Sequence, residues 1–202
     1  MSISTERMIA RKEILHGRVL HVTVDTVEID DGQGGKPKTA TREAVWHFGA
    51  CAILPVTDDG KIILVRQYRY AAAQPMLEVP AGKIEHDGEN PAECAHRELE
   101  EETGFSSDDI QPLGYVYTSP GFCNERIYLY LAKNLKKGHQ HLDEDEFMNL
   151  EYYTPEEVEQ LIDKNEIVDA KTIANFQKAR KYLFLDTHFF RTPGTTLWYN
   201  KR

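Results

Sequence analysis

The sequence has few cysteines, a deficit of positive charge and no long hydrophobic run. Its three cysteines, Cys51, Cys94 and Cys123, lack the close spacing of a zinc site or a redox pair. The formal net charge of −9 argues against broad binding to nucleic acid or to an anionic membrane. No segment approaches the roughly 18 apolar residues of a membrane span, and residues 1–12 mix charges, unlike a signal peptide. We therefore expect a reduced, cytoplasmic protein that binds neither nucleic acid nor membrane.

The residues that are present are those of a globular chain, 41% hydrophobic and 28% charged, whose first part is mainly β. Apolar and polar residues alternate over 17–31, which predicts a half-buried strand that ends in a Gly-rich hairpin turn. Further strands are predicted at 42–47 and 50–56. We expect residues 1–45 to form a small antiparallel β region and residues 46–202 to form the main domain.

The second part of the chain mixes helices with strands. Asn90 and Glu93 predict a capping box at the start of a helix, and Gly104 predicts its end. Three apolar segments predict strands, at 113–117, 127–132 and 148–153. Two more helices are predicted, from Thr154 and from about Asp169. The pattern favours a mixed α/β layer fold.

The most informative stretch is the acidic end of the helix predicted before Gly104. Glu101 and Glu102 lie three and four residues after Glu98, so each shares a helical face with Glu98 and its carboxylate is repelled by that of Glu98. They also lie at the C-terminal end, where the helix dipole disfavours anions. A hard cation such as Mg²⁺ or Mn²⁺ would offset this repulsion. A solvated acidic face, with Arg97 paired to Glu101, is the other interpretation of the same spacing.

This stretch resembles the signature of the Nudix hydrolases. The matching positions are Gly82, Glu89, Arg97, Glu98, Leu99, Glu101, Glu102, Gly104 and Phe105. The sequence departs from the family pattern once, because six residues instead of five separate Gly82 from Glu89. The extra residue falls in the turn formed by residues 86–88, where an insertion is readily absorbed.

The resemblance implies a fold, a cofactor and a set of ligands. The implied fold is an α/β/α sandwich around a mixed sheet, with the N-terminal antiparallel β region appended. The implied ligands of Mg²⁺ or Mn²⁺ are Glu98, Glu102 and the main-chain carbonyl of Ala81, with Glu101 as an auxiliary ligand. Arg97 would orient these glutamates. The implied reaction is hydrolysis of a pyrophosphate bond by a metal-activated water.

Segments outside the helix resemble the ADP-ribose pyrophosphatase branch of the family, over about residues 42 to 182. They are Arg42-Glu43, Gln67-Tyr68-Arg69, the segment 77–82, Ser119-Pro120-Gly121-Phe122 and the acidic segment 142–147. The implied substrate is a nucleoside diphosphate sugar, most often ADP-ribose. Arg69 and Arg42 would bind its pyrophosphate, and Glu78 would contact substrate or metal.

Four further residues have two interpretations each. Glu146 is favoured over Glu144 as the general base, because a water nucleophile needs a carboxylate that no cation occupies; without the resemblance, both would belong to a solvated turn. Trp46 either stacks on adenine or packs in a core or an interface. Arg66 either binds phosphate or lies at a strand edge.

Other functions and the assembly also stay open at this point. A Nudix enzyme that prefers GDP-mannose or nucleoside triphosphates would carry the same helix. A non-catalytic nucleotide sensor would be expected to lose the glutamates, and all are present here. In this branch the N-terminal β region commonly helps to form a homodimer. Residues from the first 45 positions of the partner, Arg42 among them, would then complete the pocket.

Overall fold

The computed structural model describes residues 3–32, 34–84, 88–142 and 147–184. The strands in chain order are β1 Thr5–His16, β2 His21–Asp30, β3 Lys38–Trp46, β4 Ala50–Pro55, β5 Ile62–Arg69, β6 Gln74–Glu78, β7 Ala81–Lys83, β8 Phe105–Ser106, β9 Asp109–Tyr117, β10 Arg126–Lys133, β11 Lys136–Lys137 and β12 Met148–Tyr153. The α-helices are α1 Pro91–Thr103, α2 Pro155–Asp163 and α3 Ala170–Leu183. No helix in these described ranges is long and apolar enough to cross a membrane.

Strands β1, β2 and β3 form an antiparallel sheet of their own. The predicted hairpin turn after Asp30 is confirmed, but the predicted start of the strand at residue 17 is wrong. Residues 17–20 form the turn that joins β2 to β1, and Gly17 donates its N–H to the carbonyl of Leu20 at 2.8 Å. Strand β1 escaped prediction because its residues are exposed throughout, so burial imposes no alternation on them.

The main domain is built on a mixed sheet in the order β7-β4-β10-β9, in which β4 and β10 are parallel and the other pairs antiparallel. Strand β4 is buried along its whole length. Its residues Cys51 and Ile53 pack in the hydrophobic cluster under α1, whereas Ala52 and Leu54 belong to the cluster that includes Phe176 of α3. Helices therefore cover both faces of the sheet, and the predicted α/β/α sandwich is confirmed.

A second sheet, β12-β5-β6, completes the domain. The N-terminal sheet joins the domain where β3 ends. Val45 donates its N–H to the carbonyl of Phe122 at 2.8 Å, and Asn124 donates its N–H to the carbonyl of Val45 at 3.1 Å. Trp46 at the end of β3 is thereby held close to the segment that follows β9.

Candidate active site

Helix α1 begins and ends at the predicted residues. The side chain of Asn90 accepts the N–H of Ala92 at 3.0 Å, so this residue caps the helix, but the expected reciprocal pair with Glu93 is wrong. Gly104 adopts the left-handed conformation, with φ of 70°. A side chain there would also meet the backbone of Gln140 at 2.7 Å, so both the turn and the close contact require glycine.

The carbonyl groups at the end of α1 accept hydrogen bonds from residues 138–141. Gly138 donates its N–H to Gly104 at 2.7 Å, and His141 donates to Glu101 at 3.0 Å. The side-chain amide of Gln140 donates to the carbonyl of Glu102 at 2.6 Å. These bonds satisfy acceptors that every helix end leaves unpaired, and they fix the glutamate-bearing turn. Sequence patterns gave no signal for this contact.

Glu98 and Glu102 lie on the buried side of the helix, with only 8% and 4% of their surface exposed. Glu102 accepts the N–H of Ala81 at 2.9 Å. The carboxylate of Glu98 lies against Gly82, so close that a Cβ on this glycine would be 1.9 Å from Oε1. The two glutamates that sequence spacing selected therefore face the same short strand, β7.

Arg97 holds the glutamates from the other side. Its Nη1 donates to Glu98 at 2.7 Å and to Glu101 at 3.0 Å, and its Nη2 donates to the carbonyl of Lys83 at 3.2 Å. Partial burial would lower the pKa of Arg97, but Glu98 and Glu101 outweigh this effect and raise it, so the cation persists. Glu89 also lies 3.6 Å from Arg97, despite the extra residue after Gly82.

Glu101 differs from the other two glutamates. Its side chain is 42% exposed and turned toward Arg97. The carboxylates of Glu98, Glu101 and Glu102 accordingly do not offer three ligand atoms within 4.8 Å of one another. Glu101 is thus more exposed than the buried pair Glu98 and Glu102.

A second charged group lies at the junction of β6 and α3. Arg69 donates to the carboxylate of Glu78 through two nitrogens, at 2.8 and 2.7 Å. The ammonium of Lys171 contacts the same carboxylate and also lies 3.0 Å from the carboxylate of Asp169. Glu78 is only 1% exposed. Burial by itself would raise the pKa of Glu78, but the contacts with Arg69 and Lys171 lower it below its ordinary value.

Sequence reasoning selected Arg69 and Glu78 but missed Lys171 and Asp169. Asp169 has a local signal, since its carboxylate accepts the N–H of Thr172 at 2.9 Å and caps α3. Lys171 has none, because only the packing of α3 against β4, β9 and β10 brings its ammonium to Glu78. Together, Lys171 and Arg69 place two cations beside one buried carboxylate.

These groups share one cleft of about 1490 Å³. Seven of the predicted site residues line it, namely Trp46, Arg69, Ala81, Arg97, Glu98, Glu101 and Glu102. Lys171, Asp169 and residues 16–19 at the tip of the β1–β2 hairpin line it as well. The indole of Trp46 donates to Thr23 at 2.9 Å and has the guanidinium of Arg11 4.4 Å above its ring.

The remaining predicted residues lie elsewhere. Glu78 does not line the cleft, but it contacts Arg69 and Lys171, which do. Arg66 is not among the residues that line the cleft; it donates to Glu151, with one contact at 3.0 Å. Arg42 is also outside the cleft of its own chain and is bonded to Glu6 at 2.9 Å. Glu144 and Glu146 fall outside the described residues.

The NUDIX domain family matches residues 46–176, which is more than half of the chain. The protein belongs to the Nudix family. An ADP-ribose pyrophosphatase of Bacillus subtilis is 42% identical over 83% of this chain and 88% of its own length. A methanol dehydrogenase activator of Bacillus methanolicus is 43% identical over 85% of this chain and 91% of its own.

A solved structure shares the fold of this chain. A crystal structure described as an ADP compounds hydrolase superimposes with a TM-score of 0.74, over 92% of this chain and 98% of the other, at 22% identity. Members of this family generally depend on a divalent cation. The donor set at α1 fits such an ion, because two buried carboxylates and the backbone of β7 offer hard oxygen ligands.

Proposed function

We propose that this Nudix protein hydrolyses the pyrophosphate bond of nucleoside diphosphate sugars, ADP-ribose foremost, giving AMP and ribose 5-phosphate. The observation that carries the proposal is a single cleft with two opposite charge groups. Glu98 and Glu102 on one side are suited to a cation, and Arg69 and Lys171 on the other are suited to phosphate oxygens. The similarity to an ADP-ribose pyrophosphatase supports the substrate class.

The residues around the proposed cation site differ in what they contribute. Glu98, Glu102 and the carbonyl of Ala81 would hold Mg²⁺ or Mn²⁺, with Glu101 as auxiliary ligand, and Arg97 orients Glu98 and Glu101 through its hydrogen bonds. The bound cation supplies charge neutralisation at the phosphoryl oxygens and lowers the pKa of a water. Gly82 lets the Glu98 carboxylate approach the backbone.

On the substrate side, Arg69 and Lys171 bind the pyrophosphate. Glu78 acts by holding both cations in place, since its carboxylate contacts each of them. Trp46, whose ring lines the cleft, stacks on the base. Glu146, or Glu144 in its place, serves as general base. The guanidinium of Arg66 is bonded to Glu151. A role of Arg66 in binding phosphate therefore stays a prediction.

We also propose a cytoplasmic homodimer that uses the N-terminal region, residues 1–45. Strand β1 is exposed along its 12 residues, and its apolar side chains Met8, Ile9, Ile14 and Leu15 are 43–52% exposed. An exposed edge strand with apolar side chains favours pairing with another chain. Arg42 lies outside the cleft of its own chain, and this position suits donation to the cleft of the partner.

A substrate panel tests the proposal directly. The purified protein is assayed in Mg²⁺ with ADP-ribose, GDP-mannose, UDP-glucose and nucleoside triphosphates, and the products are separated by chromatography. We expect the highest kcat/KM for ADP-ribose, with AMP as product. A clear preference for GDP-mannose or triphosphates would overturn the substrate choice, and lack of hydrolysis of every compound would overturn the enzymatic function.

A further inference from the structure

A second group of metal-binding side chains lies at the tip of the β1–β2 hairpin. Glu13, His16 and His21 each offer one ligand atom, and these atoms all lie within 4.8 Å of one another. The two imidazole rings are stacked, with centroids 4.9 Å apart and an interplanar angle of 26°. Among the described residues, no other His, Cys, Asp and Glu side chains form such a group.

A β-bulge brings the three side chains to one face of the hairpin. Residues three apart on a regular strand, such as Glu13 and His16, point to opposite faces. The register of β1 shifts by one residue between Glu13 and Leu15, which returns His16 to the face of Glu13. His21 lies directly opposite His16 in the ladder and shares this face.

The shared face is the one that borders the cleft. His16 and His21 line the cleft, and on β3 the residue opposite His21 is Trp46, which lines it too. The side chain of His21 is 29% exposed and that of Glu13 is 55% exposed, so an ion has access from solvent. A cation held here would lie at the rim of the cleft, next to the indole.

The donor set differs in kind from that of α1. Two imidazoles with one carboxylate suit Zn²⁺ and its neighbours in the transition series, whereas an all-oxygen site suits Mg²⁺. Three protein ligands also leave one position of a tetrahedral zinc ion open to water or to a ligand in the cleft. Glu13 also contacts His21 directly.

We propose that Glu13, His16 and His21 bind one Zn²⁺ ion at the rim of the cleft, separate from the divalent cation that α1 holds. This site does not depend on the proposed hydrolysis, because it shares no residue with the machinery described above. An ion held by these residues would lie beside the cleft, which His16, His21 and Trp46 line.

Zinc titration against a chromophoric chelator tests this site with binding as the readout. Millimolar Mg²⁺ is present throughout to occupy the carboxylate site. We expect the wild-type chain to take up one equivalent of Zn²⁺, and His16→Ala and His21→Ala each to weaken this binding by at least about tenfold. Co²⁺ should give the visible absorption of a four-coordinate ion in the wild type only.

Two control variants, His139→Ala and Glu102→Gln, and a conservative ligand variant, Glu13→Gln, keep the result interpretable. His139→Ala removes another exposed histidine, outside the group, and should bind Zn²⁺ like the wild type. Glu13→Gln preserves the shape of its side chain and should weaken binding even if the alanine variants fold poorly, which circular dichroism would reveal. Unchanged zinc affinity in the folded His16, His21 and Glu13 variants would overturn the proposal. It would also be overturned if Glu102→Gln were the only variant to lose the bound equivalent of Zn²⁺.

Discussion

Gly82 and the carboxylate of Glu98 occupy adjoining space so tightly that a Cβ on Gly82 would lie 1.9 Å from Oε1 and 2.0 Å from the carboxyl carbon of Glu98. Only glycine permits this approach without moving the side chain. The glycine of the signature therefore has a steric role, since it lets a buried carboxylate lie against the backbone of β7.

Gly82→Ala is expected to displace Glu98 and to reduce kcat on the order of a hundredfold, the effect of misplacing a catalytic group by about 1 Å. The fold should persist, because the carboxylate can swing away. Gly35→Ala is the matched control, since its Cβ would meet only the movable end of Asp31. Steady-state kinetics of both variants give the measurement, and near-normal turnover of Gly82→Ala would contradict the steric role.

Glu102→Gln is expected to lower kcat by several orders of magnitude and to abolish stabilisation by Mg²⁺. Without metal, the variant should unfold at the same or a higher temperature than the wild type, because it removes like-charge repulsion with Glu98 and keeps an oxygen that accepts from Ala81. Glu100→Gln changes an exposed glutamate of the same helix and should behave like the wild type. Thermal unfolding with and without Mg²⁺ separates these outcomes.

Lys171→Ala is expected to raise KM for the substrate and to destabilise the fold by about 3 kcal/mol, because it leaves the buried Glu78 with one cationic partner less. Lys178→Ala alters an exposed lysine of the same helix that donates to the carbonyl of Leu113 at 3.3 Å, so its effects should be small. Urea unfolding and kinetics measure both. Equal effects from the two lysines would show that Lys171 has no special position.

The pKa of Glu78 gives a signed pH dependence. Its native pKa is lowered from the ordinary 4.5, so ionised Glu78 stabilises the native state fully above pH 4.5, and this contribution is lost as the pH falls below that value. Glu78→Gln should therefore lose less stability than the wild type between neutral and acidic pH. Urea unfolding across this range provides the test, and parallel losses in both chains would refute it.

Complementation tests the donation of Arg42 across a dimer. Arg42→Ala and Glu102→Gln chains should each be weakly active alone. Co-expressed, they should regain about one quarter of wild-type activity, since random association makes half of the dimers mixed and each mixed dimer has one intact cleft. A monomer by light scattering, or no recovery in confirmed mixed dimers, would exclude this arrangement.

The parts of the protein that sequence predicted well are those determined by local chemistry. Helix α1 follows from Asn90 at its start and Gly104 at its end, and helical spacing placed Glu98 on a common face with Glu101 and with Glu102. The turn between β4 and β5 follows from its local residues in the same way, with Gly60 donating its N–H to the carbonyl of Thr57 at 2.9 Å. The two strands that it joins nevertheless belong to different sheets, which local residues do not determine.

The parts that escaped prediction depend on long-range packing or on exposure. Lys171 reaches Glu78 across 93 residues of sequence, and nothing near it signals that contact. The segment 138–141 caps α1 mainly through main-chain groups, which sequence patterns do not distinguish. The group at the β1–β2 tip depends on a bulge, and a one-residue shift in register is invisible before the strands are paired.

The hairpin that carries His16 and Val19 lines the cleft, yet in the described part of the chain neither hydrophobic cluster contains a residue before Ala50. One wall of the cleft is therefore free to vary without endangering the core. Natural selection or a directed-evolution library can change the turn between β1 and β2 at small thermodynamic risk, and so shift ligand preference while the hydrolytic helix stays constant.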